Sequence, residues 1–302
     1  RSTLSPSSAA SDVYKRQVFD GLDIAEMEYR REKTYVYILE NLINNRPIKA
    51  YIYVSKRPVS GKKFTTLLHG EAFYLRNHGK YVCYDYACNF YIKYLMGNIP
   101  VILSCPHGGY MRVEDVPIYM RRNADPRTLE ITEKMVVDCY DISGGTKIPN
   151  VVICRIHPSR VDVNREYGYE GIGRMVFTAY HDALSRMIGR VRRSHRCLII
   201  DIHGMSTGEY DIILGTNNGR SIRGVEDIFR DLISILGENY SIAMDLKGYS
   251  GQYITRKYGG RDGTGVVQLE LSRRIRRNPR EMERFSKIMA EFLSTFEILA
   301  NV

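Results

Sequence analysis

The sequence has no tryptophan, no closely spaced pair of cysteines and no long apolar run. The six cysteines are scattered without a C-x-x-C pair, so no disulfide framework is indicated. Cys105, Cys154 and Cys197 lie in apolar segments, where a free thiol behaves as a small apolar residue. No uninterrupted apolar segment approaches the ~20 residues that a membrane helix needs. These absences predict a soluble protein of a reducing, cytoplasmic compartment with no membrane partner.

Acidic residues are fewer than basic ones, which gives a formal net charge of +10. Much of the excess lies in two basic clusters, residues 190–196 and residues 273–277. Such clusters can bind nucleic acid or anionic substrates. Because no nucleic-acid-binding motif accompanies them, a solvated helix end and loop is the preferred interpretation, and nucleic acid is an unlikely partner.

The N-terminal third shows no catalytic motif. Residues 1–17 are rich in serine and alanine and resemble a translated linker, so they are excluded from the fold. Residues 18–100 are expected to form an α+β extension, mostly β-rich, with a helix from Glu26 to Asn44. Its Tyr- and Ile-rich runs predict short antiparallel strands at Ile48–Val54, Phe64–Leu68, Ala72–Leu75 and Tyr81–Tyr94.

Residues 101–302 alternate between apolar strand-like runs and amphipathic helices. Repeated strand–helix units predict an α/β domain with a mainly parallel or mixed sheet covered by helices on both faces. One helix is predicted to run from Asp125 to Cys139, with Asp125 as its N-cap and Pro126 in its first turn.

Two strands of this domain end in a His-Gly pair. Residues 101–109 (VILSCPHGG) place His107 just after an apolar strand, and residues 197–204 (CLIIDIHG) place His203 at the end of another. Ligands of open α/β sheets bind beyond the carboxyl ends of the strands. We therefore expect both imidazoles at one edge of the sheet, with Gly108 and Gly109 letting the backbone pass close to a bound group.

Two histidines at this edge suggest a zinc site, because a catalytic zinc takes three protein ligands and keeps one open position. The third ligand should be a carboxylate, and the spacing leaves Glu114 and Asp125 open. Asp125 could instead serve only as a helix cap, and Glu114 could be an exposed loop residue. Asp201, two residues before His203, could accept a hydrogen bond from an imidazole.

Further polar residues occupy positions where apolar ones are expected. Gln268 and Glu270 share one face of a strand that should be buried, so Glu270 is either a general base or the partner of an arginine. Asn164 and Arg165 follow another strand, where they could orient an anionic substrate or form a structural network with Asp162.

Six segments in order give a resemblance to a known family: SCPHGG, SRVDVNR, AYHDAL, IIDIHG, ILGT and VVQLELSR. They are similar to the P-H-[SAG]-G, D-L-N-R, Y-H, D-x-H-[SG], L-G-T and Q-x-E elements of the N-formylglutamate amidohydrolase family. The resemblance covers roughly residues 100–300 and makes residues 101–302 an amidohydrolase-like catalytic domain. That family looks like a distant branch of the zinc carboxypeptidase and aspartoacylase fold, so the resemblance implies a phosphorylase/hydrolase-like, zinc exopeptidase-like fold.

The resemblance implies zinc held by His107, a carboxylate and His203. Tyr110 stands where the zinc carboxypeptidases have a glutamate ligand, so the resemblance favours Asp125, with Glu114 as the alternative.

For the substrate, the resemblance implies that Asn164 and Arg165 bind it, that Glu270 is the general base and that His181 is a neighbour of the site. His181 could otherwise be an exposed residue on the polar side of its helix. Arg160 or Arg165 would offset charge on the substrate carbonyl oxygen.

The resulting prediction is a zinc-dependent amidohydrolase acting on a small, N-acylated, acidic amino acid or a peptide-like amide. One alternative is a metallopeptidase or carboxypeptidase-like hydrolase on the same scaffold, since fold alone does not separate these activities. The other is a non-enzymatic, basic nucleic-acid-binding protein. The sequence leaves the acyl group, the amine part of the substrate, the metal and the oligomeric state open.

Overall fold

The computed structural model describes residues 29–36, 48–55, 63–66, 70–75, 80–87, 91–113, 116–120, 123–206 and 208–299. Two expectations lie outside these residues: the linker-like segment 1–17 and Glu114 as an alternative ligand. Within the described part of the chain, no helix combines the length and apolar character needed to cross a membrane.

The described elements alternate between strands and helices from residue 92 onward. The strands are β1 (Tyr29–Val36), β2 (Ile48–Ser55), β3 (Lys63–Thr66), β4 (Gly70–Leu75), β5 (Lys80–Cys83), β6 (Asp85–Ala87), β7 (Ile92–Leu95), β8 (Val101–Cys105), β9 (Asn150–Cys154), β10 (Cys197–Gly204), β11 (Ile212–Gly215), β12 (Ile242–Met244) and β13 (Thr264–Leu271). The helices are α1 (Thr128–Ile142), α2 (Gly171–Val191), α3 (Glu226–Gly237), α4 (Tyr253–Tyr258), α5 (Arg273–Arg277) and α6 (Pro279–Ser294).

The main sheet has eight strands in the order β12-β11-β13-β10-β8-β9-β7-β6. The central strands β13, β10, β8 and β9 are parallel to their neighbours in this group, whereas β11, β7 and β6 add antiparallel pairs. This confirms the predicted α/β fold with a mixed, mainly parallel sheet. The carboxyl ends of β8, β10 and β13 therefore lie at the same edge.

Side chains of the central strands alternate between two apolar cores. Leu198, Ile200 and Ile202 of β10 pack into a core that also contains residues of α1, α3 and α6. Cys197 and Ile199 point to the other face, which is covered by α2. Because side chains in a strand alternate faces, Asp201 and His203 belong to the face covered by α2.

The N-terminal expectations are partly wrong. The helix predicted from Glu26 to Asn44 is contradicted at Tyr29–Val36, which is a strand paired antiparallel with β2. Pairing with β2, which sequence periodicity does not show, decides the extended conformation of this segment. The predicted antiparallel strands are present, but β6 and β7 belong to the main sheet. A boundary at residue 100 therefore cuts through that sheet.

Asp125 is not the N-cap of a helix. Helix α1 begins at Thr128, its N-cap is Arg127 with a positive φ of 70°, and no side chain caps it. Instead, the backbone carbonyl of Asp125 accepts hydrogen bonds from the Thr128 amide at 3.3 Å and the Thr128 hydroxyl at 2.8 Å. The helix thus starts later than predicted, and the Asp125 carboxylate is left for another role.

Four cysteines among the described side chains are buried thiols outside any disulfide: Cys105, Cys139, Cys154 and Cys197. Burial raises the pKa of the Cys105 thiol to about 12, so it stays protonated and behaves as an apolar side chain. The prediction of buried thiols in core strands is confirmed for Cys105, Cys154 and Cys197, whereas Cys139 lies in α1.

Candidate metal centre

The two strand-end histidines meet at the carboxyl edge of the sheet. Strands β8 and β10 are parallel neighbours, with Ser104 opposite Asp201, so His107 and His203 leave the sheet side by side. Their ring centroids are 4.7 Å apart, and the two Nδ1 atoms are 3.0 Å apart. Both side chains are buried. The predicted convergence of the two imidazoles is therefore present.

Asp125 completes a group of three potential ligands. Its backbone amide donates to the His107 carbonyl at 2.9 Å, which holds the loop against the strand end. Its Oδ2 atom lies 3.4 Å from His107 Nδ1 and 3.3 Å from His203 Nδ1. This oxygen is buried and has no hydrogen-bond partner among the described residues. Two imidazole nitrogens and one carboxylate oxygen thus face a common point.

The spacing of these atoms fits a metal ion. In a tetrahedral zinc site with metal–ligand distances of about 2.0–2.1 Å, two ligand atoms are about 3.3 Å apart. The three distances here are 3.0, 3.3 and 3.4 Å. Together, His107, Asp125 and His203 form a buried group that can hold a metal ion.

Two buried carboxylates fix the orientation of the imidazoles. His107 Nε2 lies 2.7 Å from Asp162 Oδ1, and His203 Nε2 lies 2.9 Å from Asp201 Oδ2. A carboxylate accepts hydrogen bonds, so these contacts favour the tautomer with the proton on Nε2, in which the lone pair of Nδ1 is directed towards Asp125. Three electron-rich atoms then converge, an arrangement that a cation stabilises.

The charges of the group favour the ionised form of Asp125. Burial by itself raises the pKa of the Asp125 carboxyl, but the neighbouring imidazoles of His107 and His203 hold that pKa well below its usual range. Asp125 therefore stays a carboxylate at neutral pH, the form that binds metal.

Asn164 links the two carboxylates. Its backbone amide donates to Asp162 Oδ1 at 2.9 Å, and its side-chain nitrogen lies 3.3 Å from Asp201 Oδ2. Its side-chain oxygen accepts a hydrogen bond from the Ile254 amide at 2.8 Å. Both ends of this side chain are thus used within the protein, which supports a positioning role beneath the histidines rather than the predicted contact with substrate.

A further layer of hydrogen bonds lies behind Asp201. The Ser104 hydroxyl donates to Asp201 Oδ1 at 2.6 Å, and the Tyr180 hydroxyl lies 2.8 Å from that of Ser104. Ser104 and Tyr180 are completely buried. These contacts join β8, β10 and α2 around Asp201, and the expected contact between Asp201 and an imidazole is present at His203.

Removing the charge of Asp201 is expected to weaken metal binding. In Asp201→Asn, the amide can present a donor to His203 Nε2, which favours the opposite tautomer and takes the lone pair from Nδ1. We expect a loss of about 10- to 100-fold in metal affinity, measured by competition with a chelator. Asp227→Asn, at an exposed carboxylate paired with Arg196, is the control and should bind as the parent does. Equal affinities in the two variants would contradict the orienting role.

Glu270 lies beside His203 on the neighbouring strand. The two residues are register partners of β10 and β13, which run parallel, and both are buried. Gln268 Nε2 donates to Glu270 Oε1 at 2.8 Å. In the described part of the chain no arginine forms an ion pair with Glu270, which leaves the general-base interpretation favoured.

The environment of Glu270 suits a proton acceptor. Burial raises the pKa of its carboxyl, attraction to His203 lowers it and repulsion from Asp125 raises it, with a net upward shift. A base works best when its pKa approaches the working pH. The upward shift of the Glu270 pKa is in the direction that the predicted role of proton acceptor needs.

Gly108 and Gly109 serve the packing of the protein itself. A Cβ atom on Gly108 would lie 2.9 Å from the Leu129 backbone nitrogen, and one on Gly109 would lie 2.2 Å from the Arg155 carbonyl carbon. The space at these glycines is therefore occupied by the protein itself and is not kept for a bound group, contrary to the expectation. They let the loop after His107 pass between α1 and the chain that follows β9.

The other predicted substrate-binding residues lie in three different places. Arg165 is half-exposed, with its Nε 3.6 Å from Asp162 Oδ2, and lines a cleft of about 580 Å³ together with Asn164. Arg160 donates to the Val116 carbonyl and lines a separate cavity of about 350 Å³. His181 is treated below. The structure does not bring Arg160 and Arg165 into one cavity.

His181 is buried, contrary to the expectation that it lies on the polar side of its helix. One ring nitrogen lies 2.9 Å from the Val163 carbonyl oxygen and the other lies 3.0 Å from the Tyr258 hydroxyl. Burial and the charge of Lys257 lower the pKa of His181 to about 4, so the ring is neutral. These contacts support a structural role that ties α2 to the chain between Asp162 and Asn164.

The basic clusters are largely engaged within the fold. Their contacts include Arg190 with the Gly97 carbonyl at 2.8 Å, Arg192 with Asp262 at 3.4 Å, Arg196 with Asp227 at 2.6 Å and Arg274 with Asp211 at 2.9 Å. Arg276 is buried. These pairings support the interpretation of the clusters as parts of the domain surface.

Sequence reasoning missed the partner of His107. Asp162 was expected at most in a network with Arg165, and Ser104 and Tyr180 were given no role. One signal was available for Ser104: it is polar within a wholly buried apolar strand and lies on the same face as Asp201.

Comparison with known proteins agrees with this arrangement. Residues 169–275 match the family profile described as N-formylglutamate amidohydrolase. This segment contains His203 and Glu270, whereas His107 and Asp125 lie outside it and are joined to it only by the fold. Curated protein sequences give no match.

Several solved structures are similar to this chain. A gene product from Agrobacterium tumefaciens is 13% identical with a TM-score of 0.52 over 66% of this chain and 90% of its own, which supports the fold. An N-formylglutamate amidohydrolase from Ralstonia eutropha is 15% identical with a TM-score of 0.47 over 66% and 92%. A succinylglutamate desuccinylase from Vibrio parahaemolyticus is 11% identical with a TM-score of 0.43 over 82% and 70%.

Proposed function

We propose that this chain, whose residues 169–275 match the N-formylglutamate amidohydrolase family profile, is a zinc-dependent amidohydrolase that cleaves an N-formyl or other N-acyl amide of a small, acidic amino acid. The observation that carries this proposal is the buried His107–Asp125–His203 group, with Glu270 on the adjacent strand. Two imidazoles and a carboxylate are a common ligand set of hydrolytic zinc.

The residues of this site have separate roles in the proposed hydrolysis. His107, Asp125 and His203 would hold the metal, which when bound supplies a Lewis acid for the amide carbonyl and for water. Glu270 accepts the proton of the attacking water at its carboxylate and passes it to the departing amine nitrogen. Asp162 and Asp201 hold the imidazole rings in the orientation that this chemistry needs.

The cleft beside Asn164 is the proposed place of the amino-acid part of the substrate. Asn164 connects this cleft to the histidines, because its side chain lies 3.1 Å from His203 Nε2. Arg165 and Arg256 both line the cleft, and Arg256 is exposed. A guanidinium matches the planar geometry of a carboxylate, so these residues favour a substrate with a free acid group.

A substrate panel tests the proposal. Zinc-loaded protein is incubated with N-formyl, N-acetyl and N-succinyl derivatives of glutamate and aspartate, with the matching leucine derivatives and with dipeptides, and the released amine is measured. We expect turnover of an acylated acidic amino acid that stops with a chelator and returns with zinc. Preference for dipeptides would favour the metallopeptidase alternative, and no release from any acylated amino acid would contradict the proposal.

Arg165→Lys is expected to weaken substrate binding more than the chemical step. Lysine keeps the positive charge but loses the two-pronged hydrogen bonding, and a charge-assisted hydrogen bond contributes about 1.5–3 kcal/mol. We expect KM to rise about 10-fold or more with a small change in kcat, measured by steady-state kinetics. Arg192→Lys, at a surface ion pair, is the control. An unaltered KM would remove Arg165 from substrate binding.

A further inference from the structure

Arg276 differs from the other arginines of its cluster. Arg273, Arg274 and Arg277 are exposed, whereas Arg276 is only 4% exposed. Its guanidinium donates to three backbone carbonyls: Nε to Leu271 at 3.0 Å, Nη1 to Pro126 at 2.9 Å and Nη2 to Met205 at 2.8 Å. A planar group with fixed donor directions therefore joins three separate segments.

Each of these carbonyls lies next to a residue of the proposed site. Leu271 follows Glu270, Pro126 follows Asp125, and Met205 is two residues after His203. These segments are the end of β13, the loop before α1 and the end of β10. The charge of Arg276 also attracts the carboxylates of Asp125 and Glu270. One side chain is thus linked to two of the three potential ligands and to the proposed base.

Gly204 makes this contact sterically possible. A Cβ atom at Gly204 would lie 2.5 Å from Arg276 Cζ and 2.6 Å from its Nε, closer than Cβ atoms approach other atoms. Gly204 does not have a positive φ, so the glycine is needed for space and not for backbone conformation. The glycine after His203 and the buried arginine are therefore interdependent.

We propose that Arg276, seated against Gly204, is a positioning residue that sets the relative placement of Asp125, His203 and Glu270. A charge-assisted hydrogen bond is roughly twice as strong as a neutral one, and three of them act here at once. Lysine at this position carries the charge but cannot reach three carbonyls in three fixed directions. This proposal rests on the proposed metal site only for the first of its two tests, which measures cobalt binding.

Cobalt binding to the full chain tests this positioning role. We expect Arg276→Lys and Gly204→Ala to bind Co²⁺ about 10- to 100-fold more weakly than the parent and to change its visible absorption spectrum. Arg277→Lys, at the exposed neighbour in the same helix, is the matched control and should equal the parent. Near-UV circular dichroism and the thermal midpoint of the metal-free proteins verify that each variant is folded.

A metal-independent readout separates this inference from the proposed function. Long-range ¹⁵N NMR of the imidazole side chains reports the tautomer of each histidine in metal-free protein. We expect the His203 signals to shift in Arg276→Lys and Gly204→Ala but not in Arg277→Lys. If the parent binds no Co²⁺, the metal proposal fails and the NMR result alone decides. Parent-like cobalt binding in both variants, or unshifted His203 signals, overturns the positioning role.

Discussion

His107→Ala and His203→Ala are each expected to lose the metal that the parent protein retains. The parent should purify with about one zinc per chain, since a site with three protein ligands keeps its ion through purification. Each variant leaves one nitrogen and the Asp125 oxygen, because the two histidines supply separate corners of the triangle of potential ligands. Metal analysis by inductively coupled plasma mass spectrometry should therefore find near-zero zinc in both.

The control for this pair is His195→Ala. His195 lies outside the site, and its Nδ1 is 2.7 Å from the Ser194 hydroxyl. This variant should retain parent-like zinc. Because His107→Ala also leaves the buried Asp162 without the imidazole, its folding must be verified by circular dichroism before the metal content is compared. Full zinc occupancy in a folded variant of either site histidine would exclude the proposed centre.

The sequence was sufficient to predict those site residues that lie in or directly after strands. His107 and His203 lie at the ends of mostly apolar strands, and Glu270 is the one charged residue of a mostly apolar strand, so position along the chain was enough to place them at one edge. Parallel pairing of the strands then brings them together, and the structure confirms this edge for both histidines.

Residues contributed by loops could not be placed in the same way. Asp162 reaches His107 from a loop after β9, and no periodicity relates it to a residue 55 positions earlier. Asp125 was favoured by resemblance, but its helix-capping role was wrong because α1 starts at Thr128. The polar character of Asn164 and His181 suggested accessible side chains. Both are buried by contacts with residues distant in sequence, including the Ile254 amide and the Tyr258 hydroxyl.

The same limit applies to the basic cluster after β13. Composition treats residues 273–277 as equivalent charges, but an α-helical turn directs one of them inward. Arg276 is buried, as is its neighbour Ile275, and the partners of Arg276 are backbone carbonyls that the sequence does not distinguish. The charge of Arg276, which suggested binding of an external anion, is thus used in hydrogen bonds within the protein.

Glu270→Gln is expected to retain the metal and lose turnover. Glutamine is close to isosteric with glutamate and leaves the three potential ligands unchanged, but its amide cannot accept the proton of the attacking water. Loss of a general base typically costs about 10²- to 10⁴-fold, so kcat should fall by that factor while zinc stays near the parent level. Metal analysis and kinetics on the same preparation check both parts.

The activity of the parent protein should fall as the pH is lowered, because Glu270 becomes protonated. Because the pKa of Glu270 is raised above the ordinary carboxyl value of 4.5, the carboxylate is protonated, and the base lost, as the pH falls through that raised value. The acid limb of kcat/KM should therefore lie above pH 4.5. Glu283→Gln, an exposed residue paired with Lys287, should keep the parent rate and pH profile. Parent-like turnover in Glu270→Gln would remove Glu270 from the mechanism, and the proton would have to be accepted by another group beside the histidines.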